Sequence, residues 1–255
     1  MATETKLPRP EPERPKARPE PFSSTPAEPP PPLRNGDRLT LDEFWRRYEA
    51  MPGVKAELID GRVYIVPSPV RHRDHGKPHY RIVNWIGQYE IATPGVDGSN
   101  DSTIRLDLDN GPQPDCFLRI LPELGGRTVD TEDGYIAGGP ELIAEISASS
   151  VSYDLHDKLH VYRRHGVKEY LVWRVEDAAI DWFVLRGGRY EPLTPDEAGV
   201  LRSETFPGLW LDPAAMLRGD LAAVLDVLRK GLETPEHAAF VGRLRAAAGP
   251  TPPGH

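Results

Sequence analysis

Apolar and polar positions repeat with two different periods in the first third of the chain. From Thr40 onward apolar residues recur at helical spacing, and Thr40 with Glu43 has the form of a capping box that starts a helix. Farther along, two apolar runs flank Asp60 and Gly61, a dipeptide that favours the tight turn of a β-hairpin. The pattern therefore predicts a short helix followed by a hairpin over residues 57–66.

The middle of the chain predicts one long helix and three strands. Residues 72–91 carry apolar side chains at helical spacing, with Pro78 either inside the first turns or marking the true start of the helix. Strand-like segments follow at 102–108, 113–118 and 141–146, and a glycine-rich excursion separates the last two.

In the last third of the chain, segments with helical spacing of apolar residues alternate with segments that have the pattern of strands. It predicts a helix over 154–165, paired strands over 167–175 and 180–185, and two further helices over 217–232 and 238–248. The order of the predicted elements indicates an α/β or α+β domain built on one mixed sheet.

Composition separates the ends of the chain from this domain. Residues 1–36 hold 11 of the 28 prolines and few large apolar side chains, so we expect a disordered proline-rich tail. Residues 249–255 resemble a second disordered end. Between them, the pattern predicts a domain over 37–218 and a C-terminal helical extension over 219–248.

Cysteine content, hydropathy and net charge limit the cellular compartment and the binding partners that we expect for this protein. The single cysteine, Cys116, excludes a disulfide framework, and no signal-peptide or membrane-spanning run is present, so we expect a cytoplasmic protein. The net charge of −8 opposes indiscriminate attraction to nucleic acid. A role on nucleic acid would therefore depend on a local patch or on a bound cation.

Two acidic residues interrupt segments that otherwise have the pattern of buried strands. Asp115 and Glu145 are costly to bury unless they are paired or bind a metal, and hard oxygen ligands suit Mg²⁺ or Mn²⁺. The helix after the second strand presents Lys158 near its first turn, where it could reach a phosphate. The alternative is that Asp115 opens a turn after Pro114 and that Glu145 pairs with a nearby basic residue.

An ordered set of short motifs resembles a known family. The set comprises Glu57-Leu-Ile-Asp-Gly, Ser68-Pro with His75 shortly after, Gln113-Pro-Asp115, Glu141-Leu-Ile-Ala-Glu145-Ile-Ser147, Asp154-Leu-His-Asp-Lys158-Leu-His-Val-Tyr162, Gly166-Val-Lys-Glu-Tyr170 and Pro207-Gly-Leu. In this order the set resembles the Uma-type restriction endonuclease family of the PD-(D/E)XK nuclease superfamily, formerly a domain of unknown function. The resemblance covers roughly residues 38–218.

The resemblance implies a restriction-endonuclease-like fold, a mixed β-sheet flanked by helices, and a metal-dependent hydrolase site. Asp115 would be the motif aspartate, Glu145 the motif acid, and Lys158 the lysine that the superfamily usually carries two residues after the acid, where this chain has Ser147. Glu57 is then an additional metal ligand. Gln113, His75 and Ser147 are accessory candidates.

Other polar groups have competing explanations. His72, His75 and His79 share one helical face compatible with zinc, but the adjacent prolines favour an ordinary polar surface. The basic residues Lys158, Arg163, Arg164 and Lys168 either contact phosphates or form an exposed helix face.

Together these features predict an endonuclease that hydrolyses DNA phosphodiester bonds with Mg²⁺ or Mn²⁺. The protein could act as a homodimer. The alternative is a catalytically inactive nuclease-fold module that binds DNA or a protein partner. The net negative charge and the serine at the motif-lysine position favour that alternative. A third hypothesis is a hydrolase that acts on small phosphoesters.

Overall fold

A mixed six-stranded sheet forms the centre of the computed structural model, which describes residues 29–66, 70–148 and 150–249. The helices are α1 (Leu41–Tyr48), α2 (Lys77–Ala92), α3 (Val151–Tyr153), α4 (Leu159–Arg164), α5 (Pro213–Arg218), α6 (Leu221–Leu232) and α7 (Pro235–Ala247). The strands are β1 (Ala56–Ile59), β2 (Arg62–Ile65), β3 (Val96–Asn100), β4 (Ile104–Arg105), β5 (Cys116–Ile120), β6 (Val129–Asp130), β7 (Ile136–Ala137), β8 (Leu142–Ser147), β9 (Glu169–Arg174), β10 (Ala179–Arg186), β11 (Arg189–Pro192), β12 (Leu201–Arg202) and β13 (Trp210–Leu211).

The strand order in the central sheet is β11-β10-β9-β8-β5-β3. Strands β8 and β9 are parallel, and every other neighbouring pair is antiparallel. The parallel pair requires a crossover, and the helical segment between the two strands, which ends in α4, provides it. This crossover brings α4 to one face of the sheet, next to β8.

Alternate residues of β8 point to different cores because the side-chain period of a strand is two. Leu142, Ala144 and Ile146 pack with residues of α2, α6 and α7 on one face. Ile143 packs with Tyr162 of α4 on the opposite face. Glu145 and Ser147, which have the same parity as Ile143, therefore lie on the α4 face.

The first hairpin packs beside the α4 face through a smaller core. Leu58 and Val63 on β1 and β2 are buried with Phe44 and Trp45 of α1. Leu33, which the composition places in the proline-rich tail, is buried in the same cluster. The side chains on the other face of the hairpin, Glu57 and Tyr64 among them, point away from this cluster toward α4.

Most predicted elements are confirmed, with shifted ends. Thr40 caps α1 through a hydrogen bond from the Glu43 backbone, although the Glu43 side chain pairs with Arg46 and Arg47, so the capping box is only half formed. Asp60 and Gly61 both have positive φ, as the predicted tight turn requires. The long helix begins with a π-helical turn at 72–76, and Pro78 lies in the first turn of α2.

Two predicted elements differ from the structure for identifiable reasons. The strand predicted at 102–108 is reduced to β4, because the Asp107 side chain accepts hydrogen bonds from Asp109 and Asn110 and closes a turn. The helix predicted at 217–232 is interrupted at Gly219, which adopts a left-handed conformation before Asp220 caps α6.

Some predictions concern residues outside the described ranges, and one concerns membrane-spanning helices. Residues 1–28 of the tail predicted over 1–36, the Ser68-Pro69 motif and the end after residue 249 are outside the described ranges. Within those ranges, every helix falls short of the length and apolarity needed to cross a bilayer.

Candidate active site

Asp115 and Glu145 lie side by side on the α4 face of the sheet. Strands β5 and β8 pair with Cys116 opposite Ala144, so the next residues along each strand, Asp115 and Glu145, are neighbours. The Ile146 backbone N–H donates to Asp115 Oδ2 at 2.7 Å, and the Asp115 N–H donates to Glu145 Oε2 at 3.4 Å. The structure thus brings together the two acids that the sequence singled out.

Lys158 reaches the same place from the helical segment that precedes α4. Its ammonium lies 2.9 Å from Glu145 Oε1, 3.0 Å from Glu57 Oε2 and 3.7 Å from Asp154 Oδ1. The Lys158 side chain is only 5% exposed, and its carboxylate partners are 4% exposed. The lysine therefore sits inside a buried cluster of acids and is shielded from solvent.

Two tyrosines complete the hydrogen bonding of these acids. Tyr162 donates to Glu145 Oε1 at 2.9 Å, and Tyr153 donates to Glu57 Oε2 at 3.1 Å. Burial raises the pKa of the Tyr162 phenol well above its ordinary value, and the charge of Glu145 raises it further. Both phenols consequently act as donors that hold the carboxylates in place.

The electrostatic balance of the cluster is unequal. Four buried carboxylates, Glu57, Asp115, Glu145 and Asp154, face one buried ammonium. Burial raises the pKa of Glu145 well above its ordinary value; Lys158 opposes this rise, and the neighbouring acids reinforce it. Negative charge on Glu145 is therefore costly at this site, and a divalent cation would offset that cost.

Asp115 is balanced differently because basic groups approach it from just before β1 and from the π-helical turn that precedes α2. His75 Nε2 is 3.0 Å from Asp115 Oδ1, and Lys55 Nζ is 3.9 Å from the same oxygen. Burial alone would raise the pKa of Asp115, but His75 and the Ile146 N–H hold it below its ordinary value. These neighbours therefore stabilise the ionised form of Asp115.

A second group of potential ligands shares Asp115. One ligand atom each from His79, Asp101 and Asp115 lies within 4.8 Å of the other two, a spacing that suits a metal ion. Lys55 already contacts this group, with Nζ 2.6 Å from Asp101 Oδ1. Within the described ranges, Glu57 and Glu145 are not part of that group. The ligands predicted from the sequence and the ligands grouped by distance therefore have only Asp115 in common.

Gln113 and Ser147 lie close to the acids without contacting them. Gln113 donates to the backbone carbonyl of Asp101 at 2.8 Å, while its buried Oε1 finds no hydrogen-bond partner among the described residues. Ser147 Oγ lies 3.3 Å from Ser150 Oγ, which donates to Asp154 at 2.5 Å. Among the described residues, Ser147 is therefore linked to Lys158 through Ser150 and Asp154.

Sequence reasoning missed several members of the cluster. Asp154 and Tyr162 lie four residues before and after Lys158, and this helical spacing was a usable signal for one shared face. Lys55 and Asp101 had no comparable signal because they come from different loops, and Tyr153, at the end of α3, lies five residues before Lys158 and so off the spacing of one helical face. His79, weighed only within a zinc-like triplet, binds the Asp115 carbonyl oxygen at 2.7 Å.

The remaining candidates lie away from the acids. Cys116 is buried on the α2 face of the sheet, as its strand parity predicts. Arg164 pairs with Asp60, and Arg163 donates to the Gly188 carbonyl, so neither shares a surface with the buried Lys158. His72 is exposed and does not join His75 at the acids.

A helix-flanked mixed sheet with carboxylates and a lysine gathered beside one strand pair fits the nuclease-like class that the sequence resembles. A family model described as "Uma2: Putative restriction endonuclease" matches residues 41–214. The chain belongs to this family.

Comparisons with individual proteins add little detail. One solved structure, described as a "putative nuclease belonging to DUF820" from Anabaena variabilis, is 15% identical to this chain. The alignment covers 74% of this chain and 99% of that one, with a TM-score of 0.49. No curated protein matches the chain.

Proposed function

We propose that this chain is a divalent-metal-dependent endonuclease that hydrolyses DNA phosphodiester bonds. The observation that carries the proposal is the cluster of three buried carboxylates around the Lys158 ammonium, with the buried Asp115 beside them at the junction of β5 and β8. A buried excess of negative charge is costly without a compensating cation. Membership of the restriction endonuclease family supports a nucleic acid as the substrate.

The donor set fits a hard divalent ion. Asp115 and Glu145 offer carboxylate oxygens from adjacent strands, and Glu57 is the third candidate ligand. When bound, Mg²⁺ or Mn²⁺ would supply a Lewis acid and a water of lowered pKa. The strand pairing pre-orients Asp115, because the Ile146 N–H fixes one of its oxygens at 2.7 Å.

Lys158 and His75 have supporting roles in this proposal. Lys158 neutralises Glu145 and Glu57 and stabilises negative charge that develops on the phosphate. His75 orients Asp115 through the 3.0 Å contact with its second oxygen. Both residues thus act on the charge of the acids that hold the cation.

Cleavage of supercoiled plasmid in the presence and absence of divalent metal tests the proposal. Wild-type protein should nick plasmid with Mg²⁺ or Mn²⁺ and stop when EDTA is added. Asp115→Asn and Glu145→Gln should each reduce the rate by about 100-fold or more, since each removes a ligand charge.

Glu169→Gln is the matched control for these two variants. Glu169 is also a buried strand acid, but it accepts hydrogen bonds from Ser203 and Trp182 on the other face of the sheet. This variant should keep its cleavage activity after correction for any loss of folded protein. If Asp115→Asn cleaves as fast as wild type, the proposed chemistry is wrong.

The second candidate function is an inactive module that binds DNA or a protein partner. It is favoured by the position of Lys158, whose ammonium already lies within 3.7 Å of three carboxylates and is shielded from solvent. Calorimetric titration with Mn²⁺ separates the two candidates. An inactive module shows the same Mn²⁺ affinity for wild type and Asp115→Asn, yet still retards DNA or captures a partner.

Location and assembly belong to the same proposal. The single cysteine favours the reducing cytoplasm. DNA would be the substrate partner, and a homodimer would place two such sites on one duplex.

A further inference from the structure

An open groove of about 360 Å³ lies beside the first hairpin. Its lining residues are Arg38, Ile59, Asp60, Arg62, Tyr64 and Asp157. The backbones of Arg38 and Arg62 pair with each other in an isolated antiparallel bridge, so the two arginines are held side by side. Two adjacent guanidinium groups give this groove the chemistry of an anion site.

Basic groups outnumber acidic groups around the groove. Arg38 and Arg62 are exposed and form no ion pair with any residue in the described ranges. The two acids that line the groove already have partners, because Asp60 pairs with Arg164 and Asp157 accepts a hydrogen bond from Tyr64 at 3.1 Å. Because the Tyr64 phenol is neutral, Asp157 keeps its negative charge. The three arginines Arg38, Arg62 and Arg164 still outnumber the two acids, so the groove has a small excess of positive charge in a chain of net charge −8.

The hairpin connects the groove to the carboxylate cluster. In its register Glu57 is opposite Tyr64, and Ile59 is opposite Arg62, so all four side chains point from one face. The Tyr64 ring lies 4.2 Å from the ring of Tyr153, whose hydroxyl donates to Glu57. Arg62 is thus two residues along the strand from Tyr64, a rise of about 7 Å.

We propose that this groove binds a backbone phosphate of the DNA strand, beside the phosphate that is cleaved. This inference rests on the proposed function for the position of the scissile bond. Arginine side chains form paired hydrogen bonds with phosphate oxygens, and the groove is open at the surface, so a continuous strand can pass along it toward Glu57. A small phosphoester would not need a second anion site separate from the carboxylate cluster.

Binding measured without cleavage tests the inference separately from the proposed function. Fluorescence anisotropy with labelled single-stranded and duplex oligonucleotides is recorded in EDTA, for wild type and for the Arg38→Ala/Arg62→Ala double variant. The double variant should bind about tenfold more weakly or worse, and the slope of log affinity against log salt should become shallower by about 1, since one phosphate is no longer neutralised.

Arg245→Ala is the matched control, because Arg245 is an exposed arginine of α7 with no ion pair in the described part of the chain. It should bind DNA like wild type. Equal weakening by Arg245→Ala would show a general effect of net charge and would overturn the inference. So would unchanged binding by the double variant, or a wild type that binds no oligonucleotide.

Inorganic phosphate distinguishes a polynucleotide from a free anion. At equal total phosphate it should compete poorly with the oligonucleotide, and efficient competition would overturn the assignment to a DNA strand. A wild type that binds DNA through the two arginines but never cuts plasmid would remove the endonuclease proposal and leave this surface in place.

Discussion

Lys158 determines how the buried charges of the candidate site are balanced. Burial alone would lower the pKa of its ammonium, but Glu145, Glu57 and Asp154 raise it well above its ordinary value. The lysine therefore stays charged at neutral pH. Without it, its three carboxylate partners would face one another with no buried cation between them.

Replacing Lys158 with methionine should destabilise the protein. Lys158→Met preserves the length of the side chain but leaves buried acids uncompensated, and the loss of one partner from a buried ion pair costs about 3–5 kcal/mol. Urea unfolding measures this loss. Mn²⁺ should restore part of the stability if the acids bind a metal, because the ion replaces the missing charge.

Lys77→Met serves as the control for this change, since Lys77 is exposed at the start of α2. Its free energy of unfolding should stay within about 0.5 kcal/mol of wild type. A Lys158→Met protein as stable as wild type would show that the acids are already protonated or neutralised in some other way.

His75 should make stability depend on pH in a defined direction. The hydrogen bond to Asp115 raises the pKa of His75, and burial opposes the rise. Stability from a raised pKa is fully present below the ordinary histidine value of about 6.5 and is lost as pH rises through the higher folded value. His75→Gln should therefore cost about 1 kcal/mol at pH 5.5 and progressively less toward pH 8.5.

Urea unfolding of wild type and His75→Gln across this pH range measures the difference. The exposed His160, changed to glutamine, is the control and should give a small difference that does not vary with pH. A gap between wild type and His75→Gln that widens as the pH rises would contradict the assigned ion pair.

At the level of elements, local signals predicted the parts of the fold that local chemistry determines. Asp60 and Gly61 form the hairpin turn because both can adopt positive φ. Asp115 and Glu145 each stood out because they adjoin or interrupt an apolar strand, but they share a face because β5 and β8 pair in a register that had to come from the structure. The sequence therefore indicated the acids correctly as a pair, but it did not indicate their distance.

Elements that depend on tertiary contacts were harder to predict. The apolar alternation at 102–108 suggested a strand, yet Leu108 is 73% exposed because the turn at Asp107 carries it away from the sheet. Lys55 and Asp101 approach Asp115 only after the hairpin and the end of β3 pack together. Spacing along the chain contains no information about such contacts between distant loops.

At the level of the whole molecule, the two faces of the central sheet have different tasks. The α4 face carries the acids, Lys158 and the hairpin with its groove. The opposite face is largely apolar apart from the buried Glu169, and α6 and α7 contribute Val224, Leu228, Phe240 and Leu244 to the core there. The side chains that stabilise the fold and those of the candidate site thus lie largely on opposite faces of one sheet. Substitutions on the face away from α4 should affect the site only by unfolding the protein.

Phe240→Ala tests how closely the C-terminal helices are coupled to the rest of the chain. Phe240 is buried and lies edge-to-face with Phe206, so the cavity left by truncation should cost about 3–5 kcal/mol. If the chain is one cooperative unit, tryptophan fluorescence and far-ultraviolet circular dichroism should follow a single urea transition, shifted to lower urea.

The exposed neighbour Ala239, changed to serine, should leave the midpoint of that transition nearly unchanged. Trp45 in the hairpin core and Trp85 in the sheet core both report on the unfolding. If α7 melts at low urea while these tryptophans remain in a folded environment, the C-terminal helices form a separable extension. A single transition instead means that α6 and α7 stabilise the sheet that positions Asp115 and Glu145.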